Sequence, residues 1–378
     1  MFPFENLPLF VHEAWYVAAW SDDVAATPIR CRINEHPVML YRDAAGNAVA
    51  LRDRCAHRGH PLSLGTIENG CVRCPYHGFV YDAGGQCVEI PSQQHVPPAV
   101  HVRAFPLVER WNWIWIWMGD PANADPALIP DHVEAGIDDP AFLAECGGTM
   151  EIATRYQWFT ENLLDLSHLT FLHPGTNGTP GVAAQPTFTR VEGDVVRVTR
   201  TTKNDSVTPY YAMRLGIDPS VRTIDRTHES IWIAPAFHIT HVTSQEASSS
   251  AGDRVPQSYG EHKIVFAIAP IDASTIRVFW AFCRTYNKAA EITTYQRDTL
   301  AEIFKQDNAA LEAIEATMLH DAGPDTEYNC AVDEGALRSR GVMRRLLEAE
   351  AETEAAPRGG VATFRSTATR KAASPLPS

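Results

Sequence analysis

Arg54-Cys55-Ala56-His57-Arg58-Gly59, followed downstream by Cys74-Pro75-Tyr76-His77-Gly78-Phe79, decides how the first third of the chain folds. Each half offers one thiolate and one imidazole. Together they form a Cys₂His₂ set that can hold a [2Fe–2S] cluster, two Cys on one iron and two His on the other. A single structural zinc ion accepts the same donors, but zinc sites more often read as a Cys pair followed by a His pair. The Cys-X-His and Cys-X-X-His order favours the cluster, because each arm reaches both irons.

Around these loops, residues 37–118 read as short strands broken by turn residues such as Asp43-Ala-Ala-Gly46-Asn47 and Asp82-Ala-Gly-Gly85. The run Trp111-Asn-Trp113-Ile-Trp115-Ile-Trp117 alternates with period two, which predicts one aromatic strand face packed in a core. Pro121, Pro126, Pro130 and Pro140 then suggest a domain junction. Beyond it the pattern predicts strand pairs at 188–201, 229–243 and 262–285, bracketed by helices around 157–172 and 291–319. Strands grouped between helices predict an α+β unit with an antiparallel sheet and a long helix.

The first of those helices carries Glu161-Asn162-Leu-Leu-Asp165-Leu-Ser-His168-Leu-Thr-Phe-Leu-His173. Asn162, Asp165 and His168 are spaced to share a helix face. His173 would point about 140° away from His168 on a regular helix, so both reach one ion only if the helix bulges or ends. Two His and a carboxylate with open positions form the facial triad of non-heme Fe(II) oxygenases. On the long helix the apolar stripe Leu300, Phe304, Leu311, Ile314, Met318 lacks a member at position 307. Asp307 therefore falls on the buried face, where an unpaired carboxylate is costly and a metal bond removes the cost. His168, His173 and Asp307 are the expected triad.

The cluster loops resemble the Rieske domain of Rieske non-heme iron oxygenases. Respiratory-type Rieske proteins have an extra Cys in each loop where this chain has His60 and Tyr76, so the likeness is to the oxygenase and ferredoxin branch. Asn162 to His173 matches that family's iron motif, N-X₂-D-X₂-H-X₄-H, position for position. Val108-Glu-Arg110 and Ile114-Trp-Ile-Trp-Met118-Gly-Asp-Pro121 resemble its monooxygenase and demethylase branch. The resemblance implies an N-terminal all-β Rieske domain (1–120) and a helix-grip-like catalytic domain (121–350), while the Ala-, Thr- and Pro-rich composition from Ala351 onward predicts a disordered tail (351–378). It implies a [2Fe–2S] cluster on Cys55, His57, Cys74 and His77, and mononuclear Fe(II) on His168, His173 and Asp307.

By the same resemblance, Asp165 bridges His77 of an adjacent subunit to an iron-ligand His, Asn162 lines the iron site, and the protein is a homotrimer. Electrons are expected from a separate NAD(P)H-dependent reductase or ferredoxin, since the chain lacks a dinucleotide fingerprint. The expected reaction is O₂-dependent hydroxylation of a methyl or methoxy carbon of an aromatic substrate, an aromatic acid fitting best. Alternatives are a non-aromatic or N-methyl substrate, a Rieske electron carrier without oxygenase activity, and a zinc-stabilised interaction protein.

The rest of the chain narrows these readings. A net charge of −14 argues against a nucleic-acid partner. No apolar run approaches the ~20 residues that span a bilayer, and the N-terminus lacks signal-peptide character. Eight scattered cysteines fit a reducing cytoplasm better than a disulfide scaffold. Arg52, Arg54, Arg58 and Arg73 gather positive charge near the cluster, either as a donor-docking patch or as braces for its loops. His238 and His241 have opposite strand parity, so at most one faces a pocket; Trp280 is pocket or core.

Overall fold

The computed structural model describes residues 4–218, 220–320 and 327–355. The N-terminal part contains β1 (Trp15–Trp20), β2 (Ile29–Ile33), β3 (His36–Arg42), β4 (Ala48–Arg52) and β5 (Thr66–Glu68). Then come β6 (Cys71–Arg73), β7 (Val80–Tyr81), β8 (Cys87–Glu89), β9 (Leu107–Arg110) and β10 (Trp113–Trp117). They form three small antiparallel sheets, ordered β1-β10-β9, β2-β3-β4 and β5-β6-β7-β8. The last of these carries the second cluster loop between β6 and β7.

The C-terminal part begins with β11 (Leu143–Ile152), α1 (Tyr156–Leu164), α2 (Leu169–Leu172) and α3 (Pro180–Ala184). It continues through β12 (Phe188–Glu192), β13 (Val195–Ser206), α4 (Pro209–Leu215), β14 (Thr223–Ile233), β15 (Phe237–Glu246) and α5 (Ser248–Ala251). After β16 (Ser258–Asp272) and β17 (Thr275–Arg284) come the long helix α6 (Ala290–His320) and α7 (Glu334–Ala355). The strands form one seven-stranded sheet, β11-β17-β16-β15-β14-β13-β12, antiparallel throughout. The three hairpins expected from alternation and turn chemistry are present. Strand β11, which carries Gly147 and Gly148, has no alternation to announce it. Gly147 is required there, because a Cβ would lie 2.0 Å from the Trp280 ring.

Both faces of the large sheet are buried, and this arrangement positions the site. The outer face (Ile231, Ile239, Val265, Ala281) packs on Trp15, Trp113, Trp115 and Trp117 of the N-terminal unit. The tryptophan face is thus a seam between the two halves of the chain. Truncating one of these buried indoles to Ala should cost about 3–5 kcal/mol. The inner face meets α6, where Phe304 packs edge-on against Trp280 at 4.9 Å and Phe266 at 5.3 Å. Those contacts fix the helix one turn before Asp307. Trp280 is therefore core.

The α6 stripe departs from expectation near its end. Ile314 is exposed, while Glu315 is buried and pairs with Arg155 at 2.8 Å. A charged partner from the α1 side outweighs apolar patterning at that turn. Helix α7 continues through Ala355, so residues 351–355 are helical where a tail was expected to begin. Alanine and glutamate, which dominate this segment, are strong helix formers. The remainder of the expected tail lies outside the described residues.

Candidate metal centres

The two cluster loops share one backbone solution. Cys55 N–H donates to His60 O and Gly59 N–H to Cys55 O, each at 2.9 Å. Cys74 N–H donates to Phe79 O at 2.8 Å and Gly78 N–H to Cys74 O at 3.0 Å. Both closing glycines are left-handed, with φ of 76° and 74°, a conformation that L-residues with a Cβ seldom adopt. At Gly78 a Cβ would also stand 2.8 Å from Pro91.

These loops turn the sulfurs inward and the rings outward. Cys55 and Cys74 are buried, whereas His57 and His77 are exposed with ring centroids 4.5 Å apart. The Tyr81 hydroxyl lies 3.2 Å from Cys55 Sγ and accepts the Ala56 N–H at 3.1 Å. Burial pushes the Cys74 thiol up, a cost that metal coordination to the thiolate removes. Paired sulfurs inside and paired imidazoles at the surface fit a cluster of two irons with unlike ligands. Arg73 donates to Glu68, Glu89 and the Gly78 carbonyl, so it braces the second loop and is not a free docking charge. Arg54 and Arg58 remain exposed.

The segment with the iron motif is not one helix. Helix α1 stops at Leu164, Asp165 is extended (φ −103°, ψ 102°), and a 3₁₀ turn, Leu166–His168, leads into α2. Asp165 makes the break by capping: its Oδ1 accepts Ser167 N–H at 2.8 Å and its Oδ2 accepts the Ser167 hydroxyl at 2.9 Å. Asn162, Asp165 and His168 therefore do not share a continuous helix face, as the spacing predicted. The break, with His173 closing α2, lets the two histidines converge.

Their Nε2 atoms face one carboxylate oxygen. Asp307 Oδ1 lies 3.1 Å from His173 Nε2 and 3.4 Å from His168 Nε2. Asn162 Nδ2 also donates to that oxygen at 3.4 Å. One ligand atom from each of His168, His173 and Asp307 falls within 4.8 Å of the others. The far ring nitrogens are held elsewhere, which leaves each Nε2 turned to Asp307, the orientation that metal ligation by a histidine requires. His168 Nδ1 bonds the Asp165 main-chain carbonyl at 2.6 Å, and His173 Nδ1 bonds Gln306 Oε1 at 2.7 Å. The expected contact from the Asp165 carboxylate to an iron-ligand ring is thus replaced by its carbonyl, since both carboxylate oxygens hold Ser167. Burial disfavours charge on both His173 and Asp307, but their attraction prevails, with His173 raised and Asp307 lowered.

Gln306 was not anticipated, because its position beside Asp307 says nothing about a partner on α2. Above the triad lies the inner sheet face, whose cross-strand row runs Arg200, His228, Val242, His262, Arg284. His238 faces inward, fully buried, with Nε2 2.8 Å from the Ser230 hydroxyl. His241 faces away and pairs with Glu261 at 2.5 Å, so parity alone had separated the two correctly.

Residues 14–106 match the Rieske [2Fe-2S] domain family, and residues 152–349 match the vanillate O-demethylase oxygenase C-terminal domain. An iron-sulfur subunit of the toluene-4-sulfonate monooxygenase system of Comamonas testosteroni is 34% identical, over 90% of this chain and 98% of its own. The vanillate O-demethylase oxygenase subunit of a Pseudomonas species is 33% identical, over 91% and 97%. Among solved structures, dicamba monooxygenase bound to 3,6-dichlorosalicylic acid superimposes with a TM-score of 0.82 at 29% identity, covering 90% of this chain and 99% of that one. With both metal-ligand sets present in one fold, the chain belongs to the Rieske non-heme iron oxygenases, as an oxygenase component of the vanillate O-demethylase type.

Proposed function

We propose that this oxygenase component hydroxylates a methyl or methoxy carbon of an aromatic acid, using O₂ and electrons from a separate NAD(P)H-dependent reductase or ferredoxin. The observation that carries the reading is the convergence of His168, His173 and Asp307 beneath the partly polar inner sheet face. When bound, the cluster supplies one-electron transfer and the mononuclear iron supplies O₂ activation. Cys55, His57, Cys74 and His77 would hold the first; His168, His173 and Asp307 would hold the second.

The remaining residues orient and shield. The Asp165 carbonyl and the Gln306 side chain fix the two imidazole rings, and Asn162 steadies the Asp307 carboxylate. Phe266, Trp280 and Phe304 pack into a dry wall beside the triad. A methoxy carbon hydroxylated there becomes a hemiacetal, which breaks its aryl-oxygen-bound C–O bond to leave a phenol and formaldehyde. A methyl carbon stops at the alcohol.

His57 and His77 are exposed and Asp165 is partly so, which supports a homotrimer in which Asp165 meets His77 of an adjacent subunit and links cluster to iron. The proposed division is a cluster unit to residue 120 and a catalytic unit over 121–350, in keeping with the change from three small sheets to one large one. No helix among the described residues is long and apolar enough to cross a membrane; a cytoplasmic location is proposed on the cysteine usage.

The test is a screen of vanillate, 4-toluenesulfonate and dicamba with a reconstituted reductase, following O₂ uptake, formaldehyde and benzylic alcohol. Iron should approach about three per chain, two in the cluster and one mononuclear. A fully loaded protein that consumes no O₂ with any aromatic acid, yet passes electrons through its cluster, would be the electron carrier instead.

A further inference from the structure

Arg200 lies on the inner face of β13, 1% exposed, and its Nε, Nη1 and Nη2 have no hydrogen-bond partner. The other buried arginines of this chamber are provided for. Arg226 pairs with Asp205, Arg214 donates to Tyr210 and lies over the Tyr211 ring, and Arg284 donates to Asn287 O, Ala289 O and the Thr293 hydroxyl. A guanidinium stays charged under all protein conditions, so an unpaired one in the interior is strongly disfavoured.

Among the described residues no carboxylate bonds it. Asp165 supplies the negative charge that Arg200 senses, but both its oxygens accept from Ser167. Asp205 accepts from Thr179, the Ser206 N–H and Arg226. Neither carboxylate bonds the guanidinium, so its donors are open to an anion from outside the chain.

Its place in the fold is beside the segment with the iron motif. Two residues before Arg200, Val198 lies against Gly335, which is also in contact with Leu164; two residues after, Thr202 lies against Gly181. Arg200, between these contacts on the same face, is directed at the layer that carries Asp165 and His168. Beside it, the Thr202 hydroxyl is buried and unpaired, and so is Nδ1 of His228, the cross-strand partner of Arg200. Burial and the neighbouring arginines hold the His228 pKa well down, so the ring is neutral and can offer an N–H to an anion.

We propose that Arg200, with Thr202 and His228, seats the anionic group of the aromatic substrate, a carboxylate or sulfonate, and thereby sets which end of the ring faces the iron. This rests on the oxygenase reading above. A planar fork of donors matches a carboxylate or sulfonate edge in two parallel bonds, and a fixed anion leaves only the opposite end of the ring available for oxidation.

The test is calorimetric binding to the holoenzyme of 4-methoxybenzoate, 4-toluenesulfonate and the neutral 4-methoxybenzamide. Arg200→Gln should weaken both anions about 30-fold or more, leave the amide within about threefold, and Arg200→Lys should lie between. Because Arg200→Met removes an uncompensated charge, its ligand-free melting temperature should match or exceed that of the wild type, and added anion should stabilise the wild type alone. In the binding and melting experiments the seat is overturned by a wild type that binds neither anion, unchanged anion binding in Arg200→Gln, equal loss of anion and amide, or a lower melting temperature for Arg200→Met. Binding is read without turnover, which separates the two ideas. Arg200-dependent binding without O₂ uptake would sink the oxygenase reading, whereas acid oxidation by Arg200→Gln at the wild-type KM would sink the seat.

Discussion

Replacing Gln306 by Leu removes the acceptor that holds His173 Nδ1 at 2.7 Å and leaves the three ligand atoms in place. Partners of this kind fix the ring and tautomer of a ligating histidine, and losing one costs about 10–100-fold in metal affinity. The structure selects the lower end of that range. Gln306 is exposed, so water can take over its role in part, while His173 is buried and keeps its Nε2 toward Asp307 at 3.1 Å. A loss near tenfold corresponds to about 1.4 kcal/mol, the size of one good net hydrogen bond. The assay is anaerobic competition for ferrous iron between the protein and a chelator, with visible absorption of the cluster as an internal control. Gln306→Glu should restore or exceed wild-type affinity, because a carboxylate accepts the same N–H with charge assistance. The reasoning fails if Gln306→Leu binds iron within twofold of wild type, or if Gln306→Glu loses as much as Gln306→Leu.

Other consequences follow from individual contacts. Tyr81→Phe deletes the hydroxyl beside Cys55 Sγ and should lower the cluster potential by on the order of 50 mV, read by redox titration, since a donor to sulfur favours the reduced state; no shift would mean the hydroxyl does not donate to sulfur. Asp165→Asn should reduce substrate-coupled turnover about 10–100-fold with both metals retained, and near-normal turnover with full iron content would remove Asp165 from the electron path. Arg340 grips both oxygens of Glu161 and of Glu327 at 2.6–2.7 Å, so Arg340→Ala should destabilise by about 3–5 kcal/mol in urea unfolding, with a loss below 1 kcal/mol contradicting the burial argument. His238, fully buried, has its pKa lowered to about 3 by desolvation. Below pH 6.5 the unfolded chain binds a proton that the native ring refuses, so stability falls with pH by about 1.4 kcal/mol per unit until about pH 3. His238→Gln should flatten this acid limb by about one proton, and identical slopes in urea unfolding at pH 4–6 would refute that assignment.

Much of the site is carried by short-range spacing and was therefore legible before any coordinates. Cys55, His57, Cys74 and His77 lie in two loops whose turn glycines are adjacent to the ligands. Asp307 was legible for a different reason: a lone carboxylate in an apolar stripe implies a buried charge with a partner. The same stripe failed at Ile314, because Arg155, far away in sequence, provides for a buried Glu315. The helix break at Asp165 was hidden as well. Its cause, a carboxylate capping Ser167, competes with a pattern that reads as helix throughout.

The chain by itself determined which residues offer metal-ligand donors and which strands alternate, since donor identity and side-chain parity are local properties. Only the tertiary structure decided that Gln306 holds His173 across 133 residues, that the tryptophan face is the seam beneath the catalytic sheet, and that Arg200, unlike Arg214, Arg226 and Arg284 in the same chamber, has no hydrogen-bond partner among the described residues. Each of these depends on which groups meet once distant segments pack. A side chain's own identity fixes what it can bind; the fold fixes whether anything is left for it to bind.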